Sequence, residues 1–195
     1  AWRQQIRRTF AIPEGSVVYL FAAMNPRLKG FESLMGATKR LKQRGVKPIL
    51  LLAGNLGYAE QQQVSQRGLR DQARFVGRTA TMAPLYATAD ATVLPTYYDP
   101  ASKVVIESLM MGTPAISTSF NGSSDLIEPD GQARCGRVIA DPADVEALAS
   151  AMAELADPVQ RSQFALATAG LAEALSMERH VSRLEPLLGG ATVVP

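Results

Sequence analysis

Between positions 91 and 114 the chain reads ATVLPTYYDPASKVVIESLMMGTP. A short β-prone run, Ala91–Leu94, gives way to a loop holding Asp99-Pro100. A helical pattern then covers Lys103–Met111 and stops at Gly112-Thr113-Pro114. The strand run is near-continuously apolar, as expected of a parallel strand covered on both faces.

The same strand–loop–helix rhythm runs outward in both directions. Strand signals fall at Val17–Ala22, Pro48–Ala53, Ala73–Val76, Pro114–Thr118 and Gly136–Ile139. Helical stretches lie between or after them, at Phe31–Gln43, Ala59–Arg67, Met82–Thr88 and Val145–Ala156. This order predicts an α/β fold: a doubly wound, Rossmann-like parallel sheet of about six strands, helices on both faces and right-handed crossovers. After Asp157-Pro158 the pattern is helical only, over Val159–Ala174 and Met177–Leu188, giving a helical tail across 159–188. There are no internal repeats, low-complexity tracts or linkers.

The 195 residues, 47% hydrophobic and 19% charged, suit one folded domain and exclude intrinsic disorder. Twenty Lys+Arg against 18 Asp+Glu leave a formal charge of +2, too little to argue for nucleic acid. A lone Cys135 excludes an internal disulfide and points to a reducing, cytoplasmic compartment. Cys135 is expected in a surface loop and His180 in the terminal helices, neither with catalytic partners. No apolar run has membrane-helix length, and no signal peptide opens the sequence. The opening Ala-Trp-Arg lacks Met and residues 2–9 read as the end of a helix, so a piece of a longer protein is expected.

In a doubly wound sheet, ligands bind beyond the carboxyl ends of the strands. The loop after the first strand holds Arg27-Leu28-Lys29-Gly30, two cations and a glycine ahead of a helix start. Such a set suits a diphosphate, although taken alone a solvated basic loop with Gly30 for packing is the favoured reading. Gly77-Arg78-Thr79-Ala80-Thr81-Met82 is either a backbone rest for a planar base or an ordinary turn. The loop beginning at Pro95 is the informative one. Asp99-Pro100 fits a helix boundary. The amides of Ala101, Ser102, Lys103 and Val104 would be free at that terminus, and Glu107 would lie one to two turns further on. Two carboxylates around free amides can hold a phosphorylated polyhydroxyl ligand; a helix cap at Asp99 and a surface carboxylate at Glu107 are the plain alternative. Asn121-Gly122-Ser123-Ser124-Asp125 either closes the far side of a phosphate site or is a turn. No Walker loop, zinc spacing, Ser-His-Asp ordering or G-x-G-x-x-G is present.

Together these pieces resemble the nucleotide-sugar-binding half of retaining GT-B glycosyltransferases of family four, in particular the lipopolysaccharide-core glucosyltransferases. The resemblance spans Ile12 to Leu188. The family's E-x7-E motif is matched by Asp99-Pro100-Ala101-Ser102 followed by Glu107-Ser108-Leu109 and Gly112-Thr113-Pro114. Its R-x-K-G is matched by Arg27–Gly30, and its glycine followed by Y-x-x-A-D by Gly77 with Met82–Asp90. The resemblance implies that Glu107 holds the donor ribose, that Asp99 contacts the transferring sugar, and that Arg27 and Lys29 meet the diphosphate. Gly30 and the backbone of Ala101, Ser102, Lys103 and Val104 would meet sugar and phosphate oxygens, while Gly77, Arg78 and Met82 border the base.

It further implies metal-independent transfer of a hexose-like sugar, from a donor such as a UDP-sugar, to the hydroxyl of an acceptor glycan or glycolipid. The configuration is retained and there is no other cofactor. The acceptor site would belong to an N-terminal domain absent from this chain, and the fragment alone would transfer little. The setting implied is bacterial cell-surface polysaccharide or lipopolysaccharide synthesis, in the cytoplasm or peripherally at the inner face of the membrane. Three departures stand out: Asp99 for Glu, Ala101-Ser102 for Phe-Gly, and no Arg near Ala23. A nucleotide-sugar epimerase of similar fold and a non-catalytic binding module are the alternatives. A flavodoxin-like receiver would need acidic residues where Arg27 and Lys29 stand.

Overall fold

The structure, a computed structural model, describes residues 2–130 and 133–188. At its centre β1 (Val17–Ala23) and β2 (Pro48–Gly54) pair in parallel over seven positions, from Val17 opposite Pro48 to Ala23 opposite Gly54. Side chains alternate across a strand. In β1, Tyr19, Phe21 and Ala23 therefore enter one core, with Leu34, Met35 and Leu41 of α2 (Phe31–Gln43) and Leu148 and Met152 of α7 (Val145–Ala156). Val18, Leu20 and Ala22 enter a second core beneath Leu85 and Tyr86 of α4 (Ala83–Tyr86), with Ile6 of α1 (Trp2–Thr9) packed against it. Both sets are apolar because both faces are covered, hence the unbroken hydrophobic runs.

α3 (Tyr58–Gln66) leads to β3 (Ala73–Gly77), α4 to β4 (Ala91–Val93), α5 (Lys103–Met110) to β5 (Ala115–Thr118), and α6 (Ser124–Ile127) to β6 (Gly136–Ile139). The sheet order is β3-β2-β1-β4-β5-β6, all parallel. The chain builds outward from β1 in one direction, then returns to its other side with β4. That reversal between β1 and β4 creates a crevice at their carboxyl ends. The expected doubly wound sheet is thus present, with each strand end within one residue of its predicted place. At the opposite, amino end, buried Asp90 accepts from the Val18 amide (2.7 Å) and from Arg3 of α1 (2.8 Å). Arg161 of α8 (Pro158–Ala167) lies 3.6 Å from the same carboxylate.

Three expectations are corrected. The single helix over Val159–Ala174 is two, α8 and α9 (Leu171–Ala174), because Gly170 takes a left-handed φ of 85° between them. α10 (Met177–Leu188) follows. The helix expected over Met82–Thr88 shrinks to the four residues of α4, with Pro84 in its first turn. Cys135 is buried rather than in a surface loop: its amide donates to Ile127 O (2.7 Å) and its carbonyl accepts from Ala115 (3.2 Å). Burial also pushes its thiol pKa up. His180 lies exposed on α10.

Candidate functional site

The loops after β1 and β4 are stitched together at the crevice. After β1, Asn25 Oδ1 accepts from the Leu28 amide (3.2 Å), and Phe31 N donates to Pro26 O (2.9 Å), closing a tight turn. Gly30 ends it with φ +77°, and a Cβ there would stand 2.0 Å from the Pro95 carbonyl oxygen. Only glycine fits. The Tyr97 amide then donates to Leu28 O (2.9 Å), while the buried Thr96 hydroxyl lies 2.9 Å from Tyr98 O and accepts from Tyr98 N (3.2 Å).

This seam delivers Lys29 to Asp99. The ammonium donates to Asp99 Oδ2 at 2.7 Å and to the Tyr98 carbonyl at 3.0 Å. Both side chains are largely shielded, at 20% and 14% exposure, so screening by solvent is weak there. Two residues seventy positions apart in sequence form one charged cluster at the switch point.

Asp99 does not cap the helix, which corrects the boundary expected at Asp99-Pro100. α5 begins at Lys103, and Ser102 caps it by accepting from Val105 N (3.4 Å). Asp99 instead joins a parallel bridge to Asn121: its amide donates to Phe120 O (3.1 Å) and its carbonyl accepts from Gly122 N (2.8 Å). The Ser102 amide, expected free, donates to Asn121 Oδ1 (3.3 Å). Among the described residues the amides of Ala101, Lys103 and Val104 have no assigned acceptor. An eight-residue helix with open amides at its start favours an anion.

Glu107 is exposed, and its Oε2 accepts from the Tyr86 hydroxyl at 2.9 Å. Burial first, then the bond to Glu107 and its charge, push the Tyr86 phenol far above its ordinary range, so the phenol remains a donor to the carboxylate. The Thr113 hydroxyl fixes the Tyr86 carbonyl (2.9 Å). Tyr86 sits in the motif stretch but drew no role from sequence. A tyrosine on an apolar face reads as core, and its hydroxyl partner lies on another helix.

The remaining residues are more scattered. Gly77 takes φ +75° with open space around it, ending β3 before the exposed Arg78. Met82 and Val104 are partly buried, their side chains packed against the core on the α4 face. Arg27 is exposed and lines a cleft of about 850 Å³ with Asn25, Glu32, Glu60, Gln63 and Tyr97. Lys29, Asp99 and Glu107 do not line that cleft. Among the described residues no three His, Cys, Asp or Glu side chains group as metal ligands would, and no helix is long and apolar enough to cross a membrane.

A Rossmann-like sheet with open helix amides, a cation and two carboxylates near its switch point is the class of architecture found, and comparison with known proteins names the family. The pattern of the family Glycosyl transferases group 1 matches residues 15–157, and the chain belongs to that family. LpsE of Rhizobium meliloti, a lipopolysaccharide core biosynthesis glycosyltransferase, is 30% identical over 138 residues, covering 70% of this chain and 39% of LpsE. The crystal structure of WaaG, a glycosyltransferase involved in lipopolysaccharide biosynthesis, superposes with a TM-score of 0.82 at 22% identity, over 97% of this chain and 51% of WaaG. Anabaena HepE, solved with UDP-glucose, gives a TM-score of 0.80 at 19% identity, over 97% of this chain and 53% of HepE. The chain spans between 32% and 47% of the length of curated relatives such as LpsE.

Proposed function

We propose that these 195 residues form the donor-binding, C-terminal half of a retaining glycosyltransferase that moves a hexose-like sugar from a nucleoside diphosphate to an acceptor hydroxyl. The observation that carries the reading is the Lys29–Asp99 pair, 2.7 Å apart beside the open amides of α5. Glu107, oriented by Tyr86, takes the ribose hydroxyls. Lys29, Arg27 and the start of α5 take the diphosphate. Asp99 takes the sugar, and the backbone from Gly77 to Met82 borders the base.

Chemically, the task is stabilisation of a leaving group. Negative charge grows on the diphosphate as the glycosidic bond breaks, and fixed cations and amides lower the energy of that state more than of the ground state. Glu107 belongs to ribose, so the two carboxylates are not a hydrolase's acid–base pair. Transfer needs no metal in this scheme. The acceptor, a glycan or glycolipid of cell-surface polysaccharide or lipopolysaccharide, binds a second half that faces this one across the crevice. Similarity to LpsE supports that substrate class.

Calorimetry of the chain with UDP, GDP, ADP and their sugar conjugates tests the assignment. One nucleotide family is expected to bind, and Glu107→Ala should weaken it by about 1–3 kcal/mol, the cost of a lost hydrogen bond to a charged group. Unchanged affinity removes Glu107 from the site. Epimerised donor appearing without any acceptor would instead identify an epimerase.

A further inference from the structure

We infer that Asn121 is a positioning residue of the donor site, setting Asp99 and the start of α5 at a fixed separation. The inference rests on the donor-site reading above and names a residue which that reading does not include.

Asn121 is 1% exposed, yet every polar atom of its side chain is used. Oδ1 accepts from Ser102 N (3.3 Å) and Ser123 N (3.0 Å), and Nδ2 donates to Ser117 Oγ (2.9 Å). Ser117 passes its own proton to Leu94 O (2.8 Å), so its oxygen faces Asn121 as an acceptor and sets which way the amide points. One side chain thus ties the cap of α5 to the loop after β5 and to the ends of β4 and β5.

The backbone on either side of Asn121 holds Asp99. Phe120 O accepts from Asp99 N and Gly122 N donates to Asp99 O. The two loops approach so closely that a Cβ on Gly122 would stand 1.9 Å from Pro100 O. Asp99 is therefore fixed by the neighbours of Asn121, and the α5 cap by Asn121 itself. In the proposed site these are the sugar-binding and phosphate-binding elements, whereas Glu107, on the ribose, is held by Tyr86. By occupying the Ser102 amide, Asn121 also leaves the anion to the amides further along.

Substitution should consequently loosen the sugar and phosphate ends of the site and leave the ribose end, held by Tyr86, in place. In Asn121→Ala, amide exchange at Ser102 and Ser123 should rise about tenfold or more while Leu20 and Leu51 stay protected, the expected result of losing a buried acceptor. The preference of the chain for UDP-glucose over UDP, or for the corresponding pair in whichever nucleotide family binds, should fall about tenfold, with affinity for the bare nucleotide reduced by a smaller factor through the loosened α5 cap. Asn121→Asp keeps the Oδ1 acceptor and should restore protection at both amides. Ser117→Ala, which frees only the amide nitrogen, should give a weaker version of the same loss and serves if Asn121→Ala does not fold.

Unchanged exchange at Ser102 and Ser123 overturns the inference. So does an equal loss of nucleotide and nucleotide sugar accompanied by exposure of the core amides, which is general destabilisation. If wild type and Glu107→Ala bind the nucleotides alike, the donor-site reading fails and with it the functional part of this one. The exchange data still report on the scaffold separately.

Discussion

Lys29 and Asp99 show how a residue's meaning depends on a partner that sequence order hides. Their types announced phosphate and sugar chemistry, but their 2.7 Å contact arises only when the loops after β1 and β4 become neighbours. Gly30 is the residue that permits this. Gly30→Ala should cost about 3 kcal/mol, combining ~1–2 for a left-handed non-glycine with ~1–3 for overpacking against Pro95 O. At about 2–4 °C per kcal/mol the melting temperature should fall by about 6–12 °C; no change would mean that the loops are not in contact. Tyr86 and Tyr19 give a pH signature. Burial raises both phenols above the ordinary 10.0, so above that pH the unfolded chain loses protons that the folded chain keeps. Stability is complete below pH 10 and should decline above it, by up to about 1.4 kcal/mol per pH unit for each tyrosine. Tyr86→Phe should make that decline shallower in alkaline denaturation curves.

Secondary-structure elements were legible wherever covering on both faces or capping chemistry dictated them. β1 and β2 are apolar at every position for the first reason, and α8 begins at Pro158 for the second. Asp157 Oδ1 accepts from Val159 N (2.8 Å) and Gln160 N (2.9 Å), so Asp157→Ala should cost about 1 kcal/mol and lower the melting temperature by about 2–4 °C in a thermal scan. The break between α8 and α9 was not legible, because a glycine inside a helical pattern does not reveal its φ. The start of α5 at Lys103 was legible, but its capping residue was not, for a related reason. Asp99-Pro100 carries the composition of a cap, yet the Asp99 backbone is claimed by Phe120 and Gly122, and the cap passes to Ser102. Tertiary pairing overrode a local preference. Asn121 was read only as part of a loop that either closes a phosphate site or turns the chain, since Asn-Gly says nothing of three buried bonds.

At the scale of the molecule, the order β3-β2-β1-β4-β5-β6 brings the loops after β1 and β4 to one crevice; the alternation of strands and helices predicted the doubly wound class but not this order. What sequence could not supply is the division of labour across the crevice. Arg27 opens toward the cleft beside α2 and α3, while Lys29 turns to Asp99. The isolated chain is expected to bind a nucleotide sugar and transfer little. A two-domain form including an acceptor half should transfer at rates at least about a hundredfold higher, as expected when reactants are brought together and oriented. Comparable turnover by the chain alone, measured by release of nucleoside diphosphate in the presence of acceptor, would show that the acceptor site lies within these residues.

Asp90 sits at the far end of the same sheet, where one carboxylate meets β1, Arg3 of α1 and Arg161 of α8. In mechanical terms it is a common anchor for segments at the two ends of the fold. Load arriving through either helix is shared at the amino ends of β1 and β4 instead of at their carboxyl ends. The loops that hold Lys29 and Asp99 lie at the other end of the strands, away from that anchor.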